Sequence, residues 1–71
     1  MIKLGIYKHY KSEDQYEVIS EAIYENTEEP VVVYKALQGE RLTFVRPLAQ
    51  FEELVEWNGE TVPRFTLVKE I

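Results

Sequence analysis

The chain has no cysteine, a single histidine, three glycines and no long apolar run. Without cysteine it can form no disulfide, and with one histidine it lacks the ligands of the usual Cys/His zinc site. The glycines, at positions 5, 39 and 59, lie too far apart for a glycine-rich phosphate loop. We therefore expect no metal and no cofactor.

The missing apolar run also bears on location. No stretch approaches the length of a membrane-spanning helix, and residues 1–11 contain no apolar segment of the kind found in signal peptides. Absence of cysteine is typical of proteins in reducing compartments. The sequence predicts a cytoplasmic protein that does not enter the membrane.

Basic residues are in the minority, since 13 acidic side chains outnumber 8 basic ones and the net charge is −5. This balance argues against bulk binding to nucleic acid, which depends on neutralising phosphates. The charge is uneven: residues 13–29 include seven acids and no base, whereas residues 3–11 include three lysines and His9 but no acid. A local basic face is one interpretation. We favour the other, in which these charges keep alternating strand faces in water.

Apolar and aromatic residues are plentiful. They make up 45% of the 71 residues and include five tyrosines, three phenylalanines and one tryptophan. This content can build one small core, so the sequence predicts a single domain over residues 1–71. That length is near the lower limit for a chain without disulfides or metals.

Strand patterns dominate the chain. Residues 16–24 alternate with period two, although a helix is the rival interpretation because some of their apolar residues also fit a helical period. We favour the strand, since tyrosine and β-branched residues suit a pleated sheet. Further strands are predicted at 4–10, 31–37 and 42–46. One face of the strand at 16–24 should carry Tyr16, Val18, Ser20, Ala22 and Tyr24.

Proline and an Asn-Gly pair organise the last third of the chain. Pro47 should end a strand and open a short helical turn at 47–52. Asn58-Gly59 predicts a hairpin between strands at 55–57 and 61–62. Residues 52–57 as a whole fit either an extension of the helix or a strand, and we expect a tail at 67–71. The predicted fold is mostly β, a small SH3-like barrel or half-open roll of five to six short strands with one short helical turn.

Several motifs together resemble one family of small bacterial proteins. The motifs are Tyr7-Lys8-His9-Tyr10-Lys11, Tyr16-Glu17-Val18, Val33-Tyr34-Lys35-Ala36-Leu37, Val45-Arg46-Pro47-Leu48 with Phe51, and Val62-Pro63-Arg64-Phe65. Their order and spacing resemble the family called domain of unknown function 1653 (DUF1653). The resemblance implies a compact, mostly β domain with no established activity. Family members usually have a glycine soon after the first motif, where this chain has Ser12-Glu13-Asp14, so we expect that turn to differ in shape.

Two arginines stand beside prolines in apolar segments, Arg46 before Pro47 and Arg64 after Pro63. A guanidinium can hold a carboxylate or phosphate at two points, and a proline stiffens the backbone that carries it. In the competing interpretation, which is the commoner arrangement in proteins, each arginine pairs with a nearby carboxylate. The candidate carboxylates are Glu52, Glu53 and Glu56.

His9 lies among tyrosines and lysines. The neighbouring ammonium groups should lower its pKa and favour the neutral imidazole. We favour a structural role over ligand binding, and ligand binding over catalysis, because no nucleophile or orienting carboxylate adjoins it in the sequence.

The aromatic residues could form a stacking surface for bases, form a groove for a peptide, or fill the core. We expect Phe44, Phe51 and Phe65 to be interior, and Trp57 with one or two tyrosines to be exposed. The full set is Tyr7, Tyr10, Tyr34, Phe44, Phe51, Trp57 and Phe65.

The first functional hypothesis is a non-enzymatic binding module for a small anionic ligand or an acidic peptide. Its predicted site residues are Tyr7, His9, Tyr10, Arg46 and Arg64. The alternative is a protein interaction domain that uses Trp57 and an exposed strand edge, as a monomer or a weak homodimer. An enzyme centred on His9 ranks third.

Overall fold

The computed structural model describes residues 2–71, which form seven strands and one short helix. In chain order the elements are β1 (Gly5–His9), β2 (Gln15–Tyr24), β3 (Glu29–Ala36), β4 (Thr43–Pro47), α1 (Leu48–Phe51), β5 (Leu54–Trp57), β6 (Glu60–Pro63) and β7 (Phe65–Glu70). Five strands make an antiparallel sheet in the order β4-β3-β2-β1-β7. Strands β5 and β6 form a separate antiparallel hairpin.

The large sheet stays open, because β4 and β7 are its two edges. The mostly β class and the half-open alternative are therefore confirmed, and residues 2–71 form no closed barrel. The described part of the chain has seven strands rather than five or six. No helix within residues 2–71 has the length and apolarity needed to span a membrane.

Strand β7 is the element that the sequence prediction missed, since a tail was expected at 67–71. It pairs with β1 and places Phe65 opposite His9. The register then shifts, so that Val68 has no residue opposite it. This bulge interrupts the period of two, and the alternation that marks a strand is therefore not visible in the sequence.

Strand β2 is a strand as predicted, but its predicted alternation holds only in its first half. A register shift leaves Ile19 without a partner. Beyond this bulge Glu21 lies opposite the fully buried Val32. Glu21, and not Ser20, therefore lies on the same face of the sheet as Val18. The prediction of a face shared with Val18 is wrong for Ser20, Ala22 and Tyr24.

Local turn chemistry explains the elements after β4. Pro47 directly precedes α1, which confirms the short helical turn. Of the two alternatives left open for 52–57, the structure has the strand, since β5 spans Leu54–Trp57. Asn58 and Gly59 both have positive φ, at 54° and 80°, as a type I′ hairpin turn requires.

The core lies on the face of the large sheet that carries Val18 and Val32, which we call the inner face, and Phe51 of α1 packs onto it. Phe51 is 1% exposed and stacks on Phe65 with ring centroids 4.2 Å apart. Both rings are interior, as predicted. The same prediction is wrong for Phe44, which is 41% exposed because it lies on the edge strand β4.

Candidate functional site

The inner face of the sheet holds a pocket with a volume of about 220 Å³. Strand register brings its walls together, since Tyr34 lies opposite Phe44 and His9 lies opposite Phe65. Side chains alternate along a strand, so Arg46 shares the face of Phe44. We name this the inner pocket. It is lined by His9, Ser12, Tyr16, Tyr34, Phe44, Arg46 and Phe65.

Arg46 supplies a positive charge to the inner pocket. Its Nε–H donates a hydrogen bond to the Tyr34 hydroxyl oxygen at 3.3 Å. Its guanidinium carbon lies 6.0 Å from the centre of the Phe65 ring, within the range of a cation–π contact. Within residues 2–71 no carboxylate forms an ion pair with Arg46. Among these residues the guanidinium therefore has no carboxylate counter-ion.

His9 is a neutral hydrogen-bond donor at the same pocket. Its Nδ1 accepts hydrogen bonds from the backbone N–H groups of Lys11 and Ser12, at 3.3 and 3.5 Å. The ring proton is therefore on Nε2. Burial lowers the pKa of His9, and the positive charges of Arg64 and Arg46 lower it further. The sequence predicted this direction from neighbouring lysines, but burial and the two arginines are the larger causes.

Tyr16 adds a second neutral donor to the inner pocket. Burial raises the pKa of Tyr16, and the nearby charge of Asp14 raises it further. The hydroxyl group therefore keeps its proton at neutral pH. The ring is held by edge-to-face contacts with Tyr34 and Phe65, whose centroids lie 5.5 and 5.7 Å away.

Arg64 follows the alternative in which an arginine pairs with a neighbouring carboxylate. Its Nη2 lies 2.8 Å from Oε1 of Glu53, and its backbone N–H donates to the Glu53 carbonyl at 2.9 Å. Its Nε is buried and has no hydrogen-bond partner within residues 2–71. The guanidinium thus fastens the junction of β6 and β7 to the segment after α1, with Glu53 as its ion-pair partner.

The two predicted tyrosines lie outside the inner pocket. Tyr7 is buried in the core and its hydroxyl donates a hydrogen bond to the Lys3 carbonyl at 2.8 Å. Burial raises the pKa of Tyr7, with a further contribution from Glu52. Tyr10 packs against His9 and Trp57, with ring centroids 4.8 and 5.5 Å away.

Of the predicted site residues, the structure brings His9 and Arg46 into one pocket. Sequence reasoning had not placed Ser12 or Tyr16 at a site, and it had treated Tyr34 and Phe44 only as members of a general aromatic set. Register was the available signal, because Tyr16, Tyr34 and Phe44 are aromatic residues at inward positions of three neighbouring strands.

A second pocket of about 300 Å³ lies beside the first and is mainly apolar. Phe65 separates the two, since it lines both. The other walls of the second pocket are Ile2, Tyr7, Phe51, Glu52, Leu54 and Pro63. No group of three histidine or acidic side chains among residues 2–71 is arranged to hold a metal ion. The inner pocket is thus the place where charge, neutral donors and aromatic walls meet.

Comparison with known proteins gives one family. The chain matches the family model described as protein of unknown function (DUF1653) over residues 5–67. It is similar to a crystal structure of a DUF1653 protein from Bordetella bronchiseptica, with a TM-score of 0.88 and 32% sequence identity over 99% of this chain and 91% of that chain. No curated protein matches the sequence. The motif resemblance is therefore confirmed, and the chain belongs to the DUF1653 family.

Proposed function

We propose that this domain is a binding module that holds a small anionic group in the inner pocket. The observation that carries the proposal is the guanidinium of Arg46, which lies at the pocket without a carboxylate partner in residues 2–71. A half-buried cation that the chain leaves uncompensated attracts an anion, and a guanidinium matches the geometry of carboxylate and phosphate.

The neighbours of Arg46 support the same choice of ligand. The neutral rings of His9 and Tyr16 each offer a hydrogen-bond donor, and the charges of Arg46 and Arg64 both disfavour a proton on His9. Positive charge is therefore concentrated beside His9, although Asp14 acts in the opposite sense at Tyr16 and the whole chain has a net charge of −5. The donors and the charge of Arg46 together favour a negatively charged guest.

The size of the pocket limits the ligand. Its volume of about 220 Å³ is below the range of roughly 300 to 1,000 Å³ that holds drug-sized ligands. The pocket suits a carboxylate or phosphate with a few attached atoms. The rings of Tyr34, Phe44 and Phe65 would contact the apolar part of such a group.

Binding is favoured over catalysis by the contacts of the two side chains that could react. His9 uses Nδ1 for backbone hydrogen bonds and not for a carboxylate that would orient it as a general base. The Ser12 hydroxyl accepts the Asp14 backbone N–H at 3.2 Å, which is a turn contact. No hydrogen bond joins the Ser12 hydroxyl to the His9 ring within residues 2–71, so the pair is not arranged as nucleophile and base.

A nuclear magnetic resonance titration with inorganic phosphate and with acetate tests the proposal. We expect the Arg46 Nε–H signal and the backbone amides of His9 and Ser12 to shift, and sodium chloride to weaken the response. Arg46→Gln should abolish the shifts. Lys8→Gln is the matched control, because it removes the same charge from an exposed side chain outside the pocket.

Unchanged spectra of the wild-type protein at millimolar phosphate and acetate would exclude the proposal. An equal loss of response in Lys8→Gln and Arg46→Gln would also count against it, because the effect would then come from net charge and not from the pocket.

A further inference from the structure

We propose that the anion reaches the inner pocket as the acidic side chain of an extended peptide that pairs with the free edge of β4. This inference rests on the proposed function and names the class of ligand for the same site. It follows from the hydrogen-bond pattern of β4, from the position of Arg46 on that strand, and from the charges around the edge.

The free edge of β4 offers unpaired backbone groups. The Ala36 N–H donates to the Leu42 carbonyl at 2.9 Å, so these two opposite residues form a hydrogen-bonded pair between β3 and β4. Because hydrogen-bonded pairs alternate along an antiparallel ladder, Phe44 and Arg46 also exchange hydrogen bonds with β3. The N–H and C=O groups of Thr43 and Val45 point away from β3. An added strand could therefore form paired hydrogen bonds with these two residues.

The other edge of the sheet is less suited to an added strand. Strand β7 contains a bulge at Val68 and ends in the charged pair Lys69-Glu70, and both features are devices that protect sheet edges. On β4, the side chains before Arg46 are uncharged, and Phe44 and Val45 are 41% and 62% exposed. Of the two edges, β4 is the one open to pairing.

Strand register then places the side chains of the peptide. If one peptide residue lies opposite Val45 in an antiparallel ladder, the preceding residue lies opposite Arg46 and the following residue opposite Phe44. Both flanking side chains point to the inner face, as Arg46 and Phe44 do, and both of those residues line the inner pocket. The geometry therefore selects a peptide with an acidic residue two positions before an apolar one.

Charge decides between this peptide and a second copy of the chain. The segment 41–47 contains Arg41 and Arg46 and no acid, on a protein whose net charge is −5. A second copy that paired through its own β4 would bring two more arginines and no carboxylate. An acidic peptide supplies the missing negative charge at the position opposite Arg46.

The test uses short capped peptides and the full chain. The parent peptide has glutamate two positions before phenylalanine, with valine between them. One variant replaces glutamate by glutamine, and another carries an N-methyl group on the valine nitrogen, which removes the N–H that would pair with the Val45 carbonyl. We expect each change to weaken binding by about tenfold, measured by calorimetry and by amide shifts on β4.

Inorganic phosphate separates a failure of this inference from a failure of the proposed function. If phosphate shifts the Arg46 signal but the N-methyl peptide binds as tightly as its parent, edge pairing is overturned and the anion pocket stands. Equal binding of the glutamate and glutamine peptides would overturn the acidic contact in the same way. Absence of any phosphate response would remove both.

Val45→Pro provides a second variant. It removes an N–H that β3 does not use, so we expect a folded protein that binds the acidic peptide about tenfold more weakly and still responds to phosphate. Sedimentation of the wild-type chain is the final check. A dimer that Val45→Pro dissociates would show that a second copy occupies the edge, which would overturn the peptide assignment.

Discussion

Arg46 and Arg64 both adjoin a proline, but their structural neighbours differ. Arg64 is placed beside Glu53 by a backbone hydrogen bond between the same two residues, and this contact fixes the ion pair. Arg46 projects from an edge strand, where its contacts are the aromatic residues Tyr34 and Phe65. The sequence predicted both outcomes as alternatives. It could not assign them, because the choice depends on which backbone segments meet.

His9 makes a pH prediction at the scale of one residue. Its pKa is lowered in the folded protein, by burial first and then by Arg64 and Arg46. The unfolded chain therefore binds more protons between the folded pKa and the ordinary value of about 6.5. The stabilisation from neutral His9 is fully present above that value and is lost as pH falls towards the folded pKa.

Urea unfolding of the wild type and of His9→Asn measures this contribution. Asparagine cannot titrate, but its side-chain oxygen can accept the same backbone N–H groups. We expect the free energy of unfolding of the wild type to fall, relative to His9→Asn, between about pH 7.5 and pH 5. A constant difference between the two proteins over that interval would contradict the prediction.

At the scale of elements, strands β2, β3 and β4 and the Asn58-Gly59 hairpin could be predicted from periodicity and turn residues. The features that the sequence did not predict depend on contacts between strands, which periodicity within one strand does not report. Bulges at Ile19 and Val68 depend on how a strand fits its partner. Pro30 cannot donate a hydrogen bond, yet it lies within β3 opposite Ile23.

Pro30 is tolerated because no donor is needed at its position. Even-numbered residues of β3 bond to β4, as the contact from the Ala36 N–H to the Leu42 carbonyl indicates. Strand β4 ends with Pro47 opposite Val31, so the nitrogen of Pro30 faces the point where β4 has already given way to α1. The exception follows from where the neighbouring strand stops, which no local pattern reveals.

Gly5 gives a prediction about how β1 and β7 approach each other. A Cβ at this position would collide with the backbone carbonyl oxygen of Lys69, and the α-carbon of Glu70 would lie 3.0 Å away. Backbone cannot move aside as a flexible side chain can. Gly5→Ala should therefore cost about 1 to 3 kcal/mol of unfolding free energy through overpacking, in addition to any cost of its φ of 155°.

Gly39→Ala is the matched control for Gly5→Ala. Its φ is 62°, but no atom lies within 4 Å of a Cβ placed there, so only conformational strain of about 1 kcal/mol is expected. Urea unfolding of both variants should rank Gly5→Ala as clearly the less stable. Equal losses of unfolding free energy in the two variants would mean that β1 and β7 can move apart at Gly5 without a measurable energetic cost.

At the scale of the whole molecule, charge should give salt opposite effects on folding and binding. Residues 2–71 form two ion pairs, Lys3–Glu70 and Arg64–Glu53, while the chain carries 13 acidic side chains. With a radius of gyration of 12.3 Å, like charges across the molecule repel at 0.01 M salt, where screening acts over about 30 Å. At 0.15 M the screening length is about 8 Å, and most of this repulsion is removed.

We therefore expect sodium chloride to raise the free energy of unfolding by a few tenths of a kcal/mol, up to about 1, between 0.01 and 0.15 M. Over the same interval, phosphate binding at Arg46 should weaken. Thermal unfolding and the phosphate titration can be run on the same samples. A fall in stability with salt would show that local attractions outweigh the net repulsion.

Phe65 lies between two cavities, and this position has an evolutionary consequence. Its ring stacks on Phe51 in the core and also lines the inner pocket. A replacement there would disturb folding and ligand recognition at once, so selection has little freedom at this position. Phe44 lines the same pocket from an open edge and can be replaced without emptying the core. Changes of ligand preference should therefore arise at position 44, with position 65 held constant.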